Sequence, residues 1–135
     1  MRRYYFAHPF GSRAIIRQKE LEWESRYDIE IVNPFSDLSR NDVVALDEGR
    51  ITRWQLDHHL IVNRDLVAIQ SCDAMIAYID GSPSKGTPME IFYAWQFHKP
   101  VYLIVTDGDQ VHSWLIVTCE EIYLSFDEFE EDELR

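Results

Sequence analysis

Two cysteines, Cys72 and Cys119, are all the chain holds. They lack metal-ligand spacing and no signal peptide precedes them, which excludes a disulfide-stapled scaffold and predicts reduced thiols in a cytoplasmic protein. Positive charge is scarce too: 13 Lys and Arg stand against 24 Asp and Glu, a formal charge of −11. Such a surface is not built to neutralise the phosphates of polymeric nucleic acid or an anionic membrane. A small phosphorylated ligand stays open, because a few backbone N–H groups and one Arg hold a phosphate whatever the global charge. No apolar run reaches the roughly 18 residues of a spanning helix. There is no internal repeat or linker, and the one biased segment is the acidic end 127–135, read as a solvated tail.

What remains is an ordinary globular composition, 46% apolar and 27% charged over 135 residues, which predicts one domain spanning 1–135 with a real core. Strand and helix patterns alternate. Tyr4 to Ala7 reads as a first strand, Ser12 to Arg26 as a helix, and Ile29 to Val32 as a second strand stopped by Asn33-Pro34. Residues 35–50 are polar and without clear pattern. A helix over Ile51 to Ser71 is expected, its register loose at His58-His59. Ala74 to Ile79 and Val101 to Val105 read as buried strands around a helix from Thr87 to His98, and Ile122 to Leu124 as a short fifth strand. The pattern implies a single-domain, Rossmann-like or flavodoxin-like open parallel sheet of about five strands with helices on both faces.

In such a sheet ligands sit outside the carboxyl ends of the strands. Loops 8–13, 33–36 and 80–87 all fall there, so they form one crevice. His8, Phe10, Gly11, Ser12, Arg13, Ser84, Thr87 and Glu90 belong to it or to its rim, a set suited to a sugar or phosphate. His8 stands alone and His58-His59 has no clear third ligand, so no metal is expected. Glu90 follows a Gly/Ser/Pro loop at a helix entry, where anionic groups are favoured. The same residues, Thr87-Pro88-Met89-Glu90, also fit a capping box with Pro at the first helical position. Asp73 reads as structural, Asp80 as a turn former or a sugar contact, and Tyr5 as core with a polar tip.

Five segments, YFAHPFGSR, NRDLVAIQSCDAMIAYID, PSKGTPMEIFYA, KPVYLI and VHSWL, resemble the nucleoside 2-deoxyribosyltransferase superfamily in its order, including its branch of 2′-deoxynucleoside 5′-monophosphate N-glycosidases. The resemblance implies that Glu90, between Gly86 and Ala94, is the nucleophile that attacks C1′ of a deoxyribose. Asp65 would bind the base or protonate it as it leaves, and Tyr5 would lie against the sugar and hydrogen-bond the nucleophile. By the same resemblance Asp80, Ser84, Gly86, Thr87 and the 8–13 loop bind substrate, although His8 stands where relatives carry a small residue. Ser84, in place of an acid, favours a 5′-phosphate, since a hydroxyl donates to phosphate and a carboxylate repels it. Ser113 and Trp114 would complete a neighbouring subunit's site in a homodimer or higher oligomer.

The resulting expectation is a cofactor-free enzyme that cleaves the N-glycosidic bond of a 2′-deoxynucleoside 5′-monophosphate. A transferase exchanging bases between deoxynucleosides is the neighbouring alternative. A nucleotide-binding module without turnover is the alternative of another class, since fold never fixes function. A receiver-like signalling domain fits less well because no acidic cluster ends the first strand.

Overall fold

The computed structural model describes residues 1–36, 48–107 and 111–135. Most of the polar stretch 35–50, read above as patternless, therefore lies outside the described residues. Five strands are present: β1 (Arg2–Ala7), β2 (Ile29–Val32), β3 (Ala74–Ile79), β4 (Val101–Val105) and β5 (Glu121–Tyr123). Every pairing is parallel and the order is β2-β1-β3-β4-β5. The helices are α1 (Arg13–Arg26), α2 (His58–Ser71), α3 (Gly86–Gln96), α4 (Ser113–Thr118) and α5 (Phe126–Phe129).

Alternation along each strand sorts the core into two layers. Tyr5, Ala7, Met75, Ala77, Leu103 and Val105 point to the face covered by α2, α3 and α4, where Ile69, Ile91, Ala94 and Leu115 meet them. Tyr4, Phe6, Ile76, Tyr78, Tyr102 and Ile104 point to the other face, against Ile16 and Trp23 of α1 and Phe129 of α5. The adjacent tyrosines of β1 are thus divided, Tyr5 toward α3 and Tyr4 away from it.

Several expected boundaries shift for local reasons. The segment from Ile51 is not one helix: a 3₁₀ turn over Arg53–Gln55 precedes α2, which begins only at His58 because the Asp57 carboxylate caps the Leu60 N–H at 3.0 Å. Helix α3 starts one residue earlier than expected and stops at Gln96, where His98 takes a left-handed φ of 59°. Ser12 belongs to a 3₁₀ turn, Phe10–Ser12, rather than to α1. The fifth strand lies one residue earlier, at Glu121–Tyr123.

The acidic end is not a solvated tail. Residues 126–134 form α5 and a wide π-type turn, Glu130–Leu134, laid back on the sheet. Phe129 is fully buried among Trp23, Tyr102 and Tyr123. The carboxylates find partners far away in sequence: Glu133 takes Arg2 at 2.8 Å and the Tyr4 hydroxyl at 3.1 Å, and Glu130 takes Arg26 at 2.8 Å and the Tyr27 hydroxyl at 3.0 Å. Asp132 accepts from Tyr123 at 2.6 Å.

Candidate active site

The sheet order reverses direction between β1 and β3, and a crevice opens where the loops after these two strands part. Side chains tie the two loops together. Ser12 Oγ donates to Asp80 Oδ2 at 3.1 Å, while Asp80 Oδ1 accepts the Ser82 N–H at 3.0 Å in an Asx turn. Burial raises the Asp80 pKa, but hydrogen bonds from Ser82, Ser12 and Tyr78 outweigh it and hold the carboxyl below its ordinary value. Gly81 turns the chain with a φ of 88°, where an added Cβ would also meet Asp107 Oδ2 at 3.0 Å. Asp80 is therefore a turn former and a clasp between loops. Asp73 accepts the Arg3 N–H at 2.8 Å at the opposite edge, the structural role expected of it.

The turn after Asp80 delivers α3 to the crevice. Ser84 Oγ lies 3.3 Å from the Thr87 N–H that it accepts and 2.8 Å from Thr87 Oγ1. This overturns the capping-box reading, which needs Thr87 outside the helix with Glu90 reaching back to it. Thr87 is instead the second helical residue, buried, with its hydroxyl turned to Ser84, and Pro88 is the third. Glu90 is left to point elsewhere. Its Oε2 accepts a short hydrogen bond from the hydroxyl of Tyr5, a fully buried ring on β1. Gly86 lies one turn before it, and a Cβ there would come within 3.7 Å of Glu90 Oε1. Gly86 thus lies beside one carboxylate oxygen while Tyr5 holds the other.

Asp65 comes from α2, which packs beside α3. Asp65 and Glu90 line one cleft of about 330 Å³, with Val62, Leu66, Phe92 and Tyr93 as apolar walls. Two carboxylates on separate helices, one fixed by a tyrosine and both facing a partly apolar hollow, suit glycosyl chemistry that needs a nucleophile and a proton donor.

A model of the nucleoside 2-deoxyribosyltransferase family matches residues 5–132. The chain belongs to that family. Like the family it is a glycosyl-transferring type of enzyme. A 2-deoxyribosyltransferase from Bacillus psychrosaccharolyticus shares its fold, with a TM-score of 0.76 at 15% identity over 97% of this chain and 92% of that one. A conserved protein from Enterococcus faecalis V583 follows at 0.72, with 16% identity over 98% and 96%. A CMP N-glycosidase from Clostridium botulinum gives 0.58, with 20% identity over 96% of each chain. No curated protein sequence matches the chain.

The remaining expected residues of this deoxyribosyltransferase-family chain fall into separate places. Arg13 folds its guanidinium over the Phe10 ring, 3.9 Å from the centroid, and donates to the Phe10 carbonyl at 3.1 Å. Phe10 and His8 both pack on Phe35, at 5.5 and 5.1 Å between centroids. His8 is buried rather than presented to the crevice, and burial lowers its pKa. Its Nδ1 lies 2.8 Å from the Pro9 carbonyl, so a neutral ring donates there. Gly11 has open space around its Cα. Ser84, Thr87 and Trp114 line a second pocket of about 260 Å³ with His112. Ser113 lines neither this pocket nor the Glu90 cleft but an apolar groove with Trp95 and Val117.

Two features escape a reading of the sequence. One is the buried chain of Glu20, Asn33 and His8: the Asn33 amide donates to Glu20 Oε2 at 3.0 Å, and its oxygen accepts the Phe35 N–H at 2.9 Å and lies 3.2 Å from His8 Nε2. Asn33 before a proline signals only a strand end, and nothing local announces its partner in α1. The other is His112, which stands immediately before α4 and accepts the Trp114 N–H on Nδ1 at 3.3 Å. A histidine capping a short helix was its one available signal.

Among the described residues no group of three or more His, Cys, Asp or Glu is arranged to hold a metal, and no helix is long and apolar enough to cross a membrane.

Proposed function

We propose that the chain hydrolyses the N-glycosidic bond of a 2′-deoxynucleoside 5′-monophosphate in the cleft between α2 and α3. The observation that carries this reading is the Tyr5 hydroxyl bonded to Glu90 beside Asp65 in one cavity. Glu90 attacks C1′, the bond from C1′ to the base nitrogen breaks, and its electron pair leaves with the base. A proton from Asp65 neutralises that nitrogen, which matters because a nucleobase anion is a poor leaving group. The deoxyribosyl ester on Glu90 then yields to water, whose proton returns to Asp65, freeing deoxyribose 5-phosphate. No cofactor takes part in these steps.

The alternative, transfer of the sugar to a second base, is favoured by one observation: the higher TM-score is to the 2-deoxyribosyltransferase rather than to the CMP N-glycosidase. The chemistry on Glu90 is the same in both, and only the group that intercepts the ester differs. Chromatography of the wild-type protein with each deoxynucleoside and each 5′-monophosphate, with and without an acceptor base, separates them. Free base plus deoxyribose 5-phosphate without an acceptor is the expected result. New nucleoside formed only with an acceptor means transferase, and binding without base release means a non-catalytic module. Glu90→Ala is expected to abolish release, a loss of at least about a thousandfold as for removal of a covalent nucleophile.

The same reading includes a homo-oligomer. Met89, Phe92, Trp95, Trp114, Ile116 and Val117 are exposed on α3 and α4, and the rings of Phe92 and Trp114 lie 6.1 Å apart. An apolar surface this continuous is suited to a second copy, whose Ser113 and Trp114 would then approach the neighbouring site.

A further inference from the structure

We infer that His8 is a proton-operated latch between the loops that follow β1 and β2, closed when its ring takes a second proton. The device is separate from the reaction proposed above and needs no substrate. Three polar side chains meet in the interior at this point, His8 at 3% exposure and Glu20 and Asn33 at 0%. With so little water in reach, each polar atom depends on the partner it faces. Both ring nitrogens of His8 face oxygen: Nδ1 lies 2.8 Å from the Pro9 carbonyl, and Nε2 lies 3.2 Å from Asn33 Oδ1.

Neither oxygen can supply a proton. A backbone carbonyl only accepts. The Asn33 amide is oriented by its other contacts, because its nitrogen donates to Glu20 Oε2 at 3.0 Å and its oxygen accepts the Phe35 N–H at 2.9 Å, and exchanging the two atoms would break both. A neutral imidazole has a single N–H. Given to Pro9, the shorter contact, it leaves the Nε2 lone pair against the oxygen of Asn33. The imidazolium has two N–H groups and bonds both oxygens at once, joining loop 8–13 to loop 33–36 through the Asn33 side chain. A counter-charge is in place, since Glu20 of α1 lies on the far side of the Asn33 amide, with the Arg17 guanidinium on its other oxygen. The other charged groups nearby among the described residues are engaged elsewhere, Arg13 on the ring and carbonyl of Phe10 and Asp80 on Ser12 and Ser82. The rings of Phe6 and Phe35 pack on the imidazole itself. Burial lowers the His8 pKa, so near pH 7 the ring is neutral and the latch open, and it closes as the pH falls below the ordinary histidine value of about 6.5. Ser12 of the same loop holds Asp80. Closing the latch therefore fastens one wall of the crevice to the end of β2.

NMR of the full chain between pH 8 and 5 tests the latch without turnover, so it stands even if the functional reading fails. At the alkaline end the ring nitrogen shifts of His8 are expected to place the proton on Nδ1, and a proton on Nε2 overturns the inference. As the ring charges, hydrogen exchange at the Phe35 and Ser12 amides, corrected for the intrinsic effect of pH, is expected to slow by about threefold or more as the loops are joined. Unchanged protection at both amides overturns it. Glu20→Gln keeps an oxygen for the Asn33 amide but removes the counter-charge, so its His8 midpoint is expected about half a pH unit lower than in wild type. Asn33→Ala removes the acceptor and is expected to lower the midpoint and abolish the change in protection. A midpoint unmoved in Glu20→Gln overturns the proposal, and that near-isosteric variant decides alone if Asn33→Ala does not fold.

Discussion

Asp65 and Glu90 stand on different helices, and their roles separate under substitution. In the proposed mechanism Asp65→Asn keeps the size and most polarity of the side chain but removes the proton that the leaving base takes, so kcat is expected to fall about 10²- to 10⁴-fold. Steady-state kinetics on the monophosphate checks this, and a loss under twofold would return Asp65 to a helix surface. These residues were legible in the sequence because each lies in a spaced motif. Tyr5 was legible as a residue but not as a direction, since Tyr4 beside it fits the same strand and only the pleat decides which ring faces α3. His8 shows the reverse: its position was marked, yet its burial depends on Phe35 and on Asn33 from another strand end. Burial holds the folded His8 below 6.5. In the unfolded chain it titrates near 6.5. The unfolded state therefore takes the proton first, and stability present above that pH declines as the pH falls through about 6.5 toward the folded value. Urea midpoints measured from pH 8 to 5 are expected to show a flatter decline in His8→Gln than in wild type.

Among the elements, α3 and the C-terminal segment departed most from their sequence readings. A capping box and a helix that starts one residue earlier share nearly the same residues, and the decision lies in Ser84, outside the four-residue pattern. The acidic end misled because charge dominates its composition, while the evidence for docking is three apolar positions, Phe126, Phe129 and Leu134, and partners such as Arg2 some 130 residues away. The sheet face over β1, β3 and β4 needs that cover. Phe129→Ala is expected to cost about 3 to 5 kcal/mol, the usual range for emptying a buried aromatic site. Chemical denaturation of the variant checks it, and a loss under 1 kcal/mol would mean the segment is dispensable. The ion pairs around it are expected to add less, because Arg2 and Arg26 remain partly exposed to solvent.

For the molecule as a whole, the parallel sheet was readable from alternating elements, but the residues expected in one crevice are divided between the Glu90 cleft and the Ser84 pocket, with His8 buried. The side-chain contacts around them were not legible, since they join β1 to α3 across 85 residues and α1 to the end of β2. The apolar face of α3 and α4 is the remaining large-scale feature. Trp114→Glu places a charge in its middle and is expected to shift the sedimenting species toward monomer, with activity falling in parallel if the neighbouring copy completes the site. A monomeric wild type in analytical ultracentrifugation would remove that proposal.

The folded-back segment 126–134 also sets a timetable for biosynthesis. β1 is made first, yet the cover over Tyr4 and Tyr102 is made among the last residues described. At roughly 5 to 20 residues per second, ribosomes need on the order of ten seconds to go from one to the other. Throughout that interval α1 is the nascent chain's only cover, among the described elements, for that aromatic sheet face. Losing Phe129 would carry that exposure on from the nascent chain into the folded one.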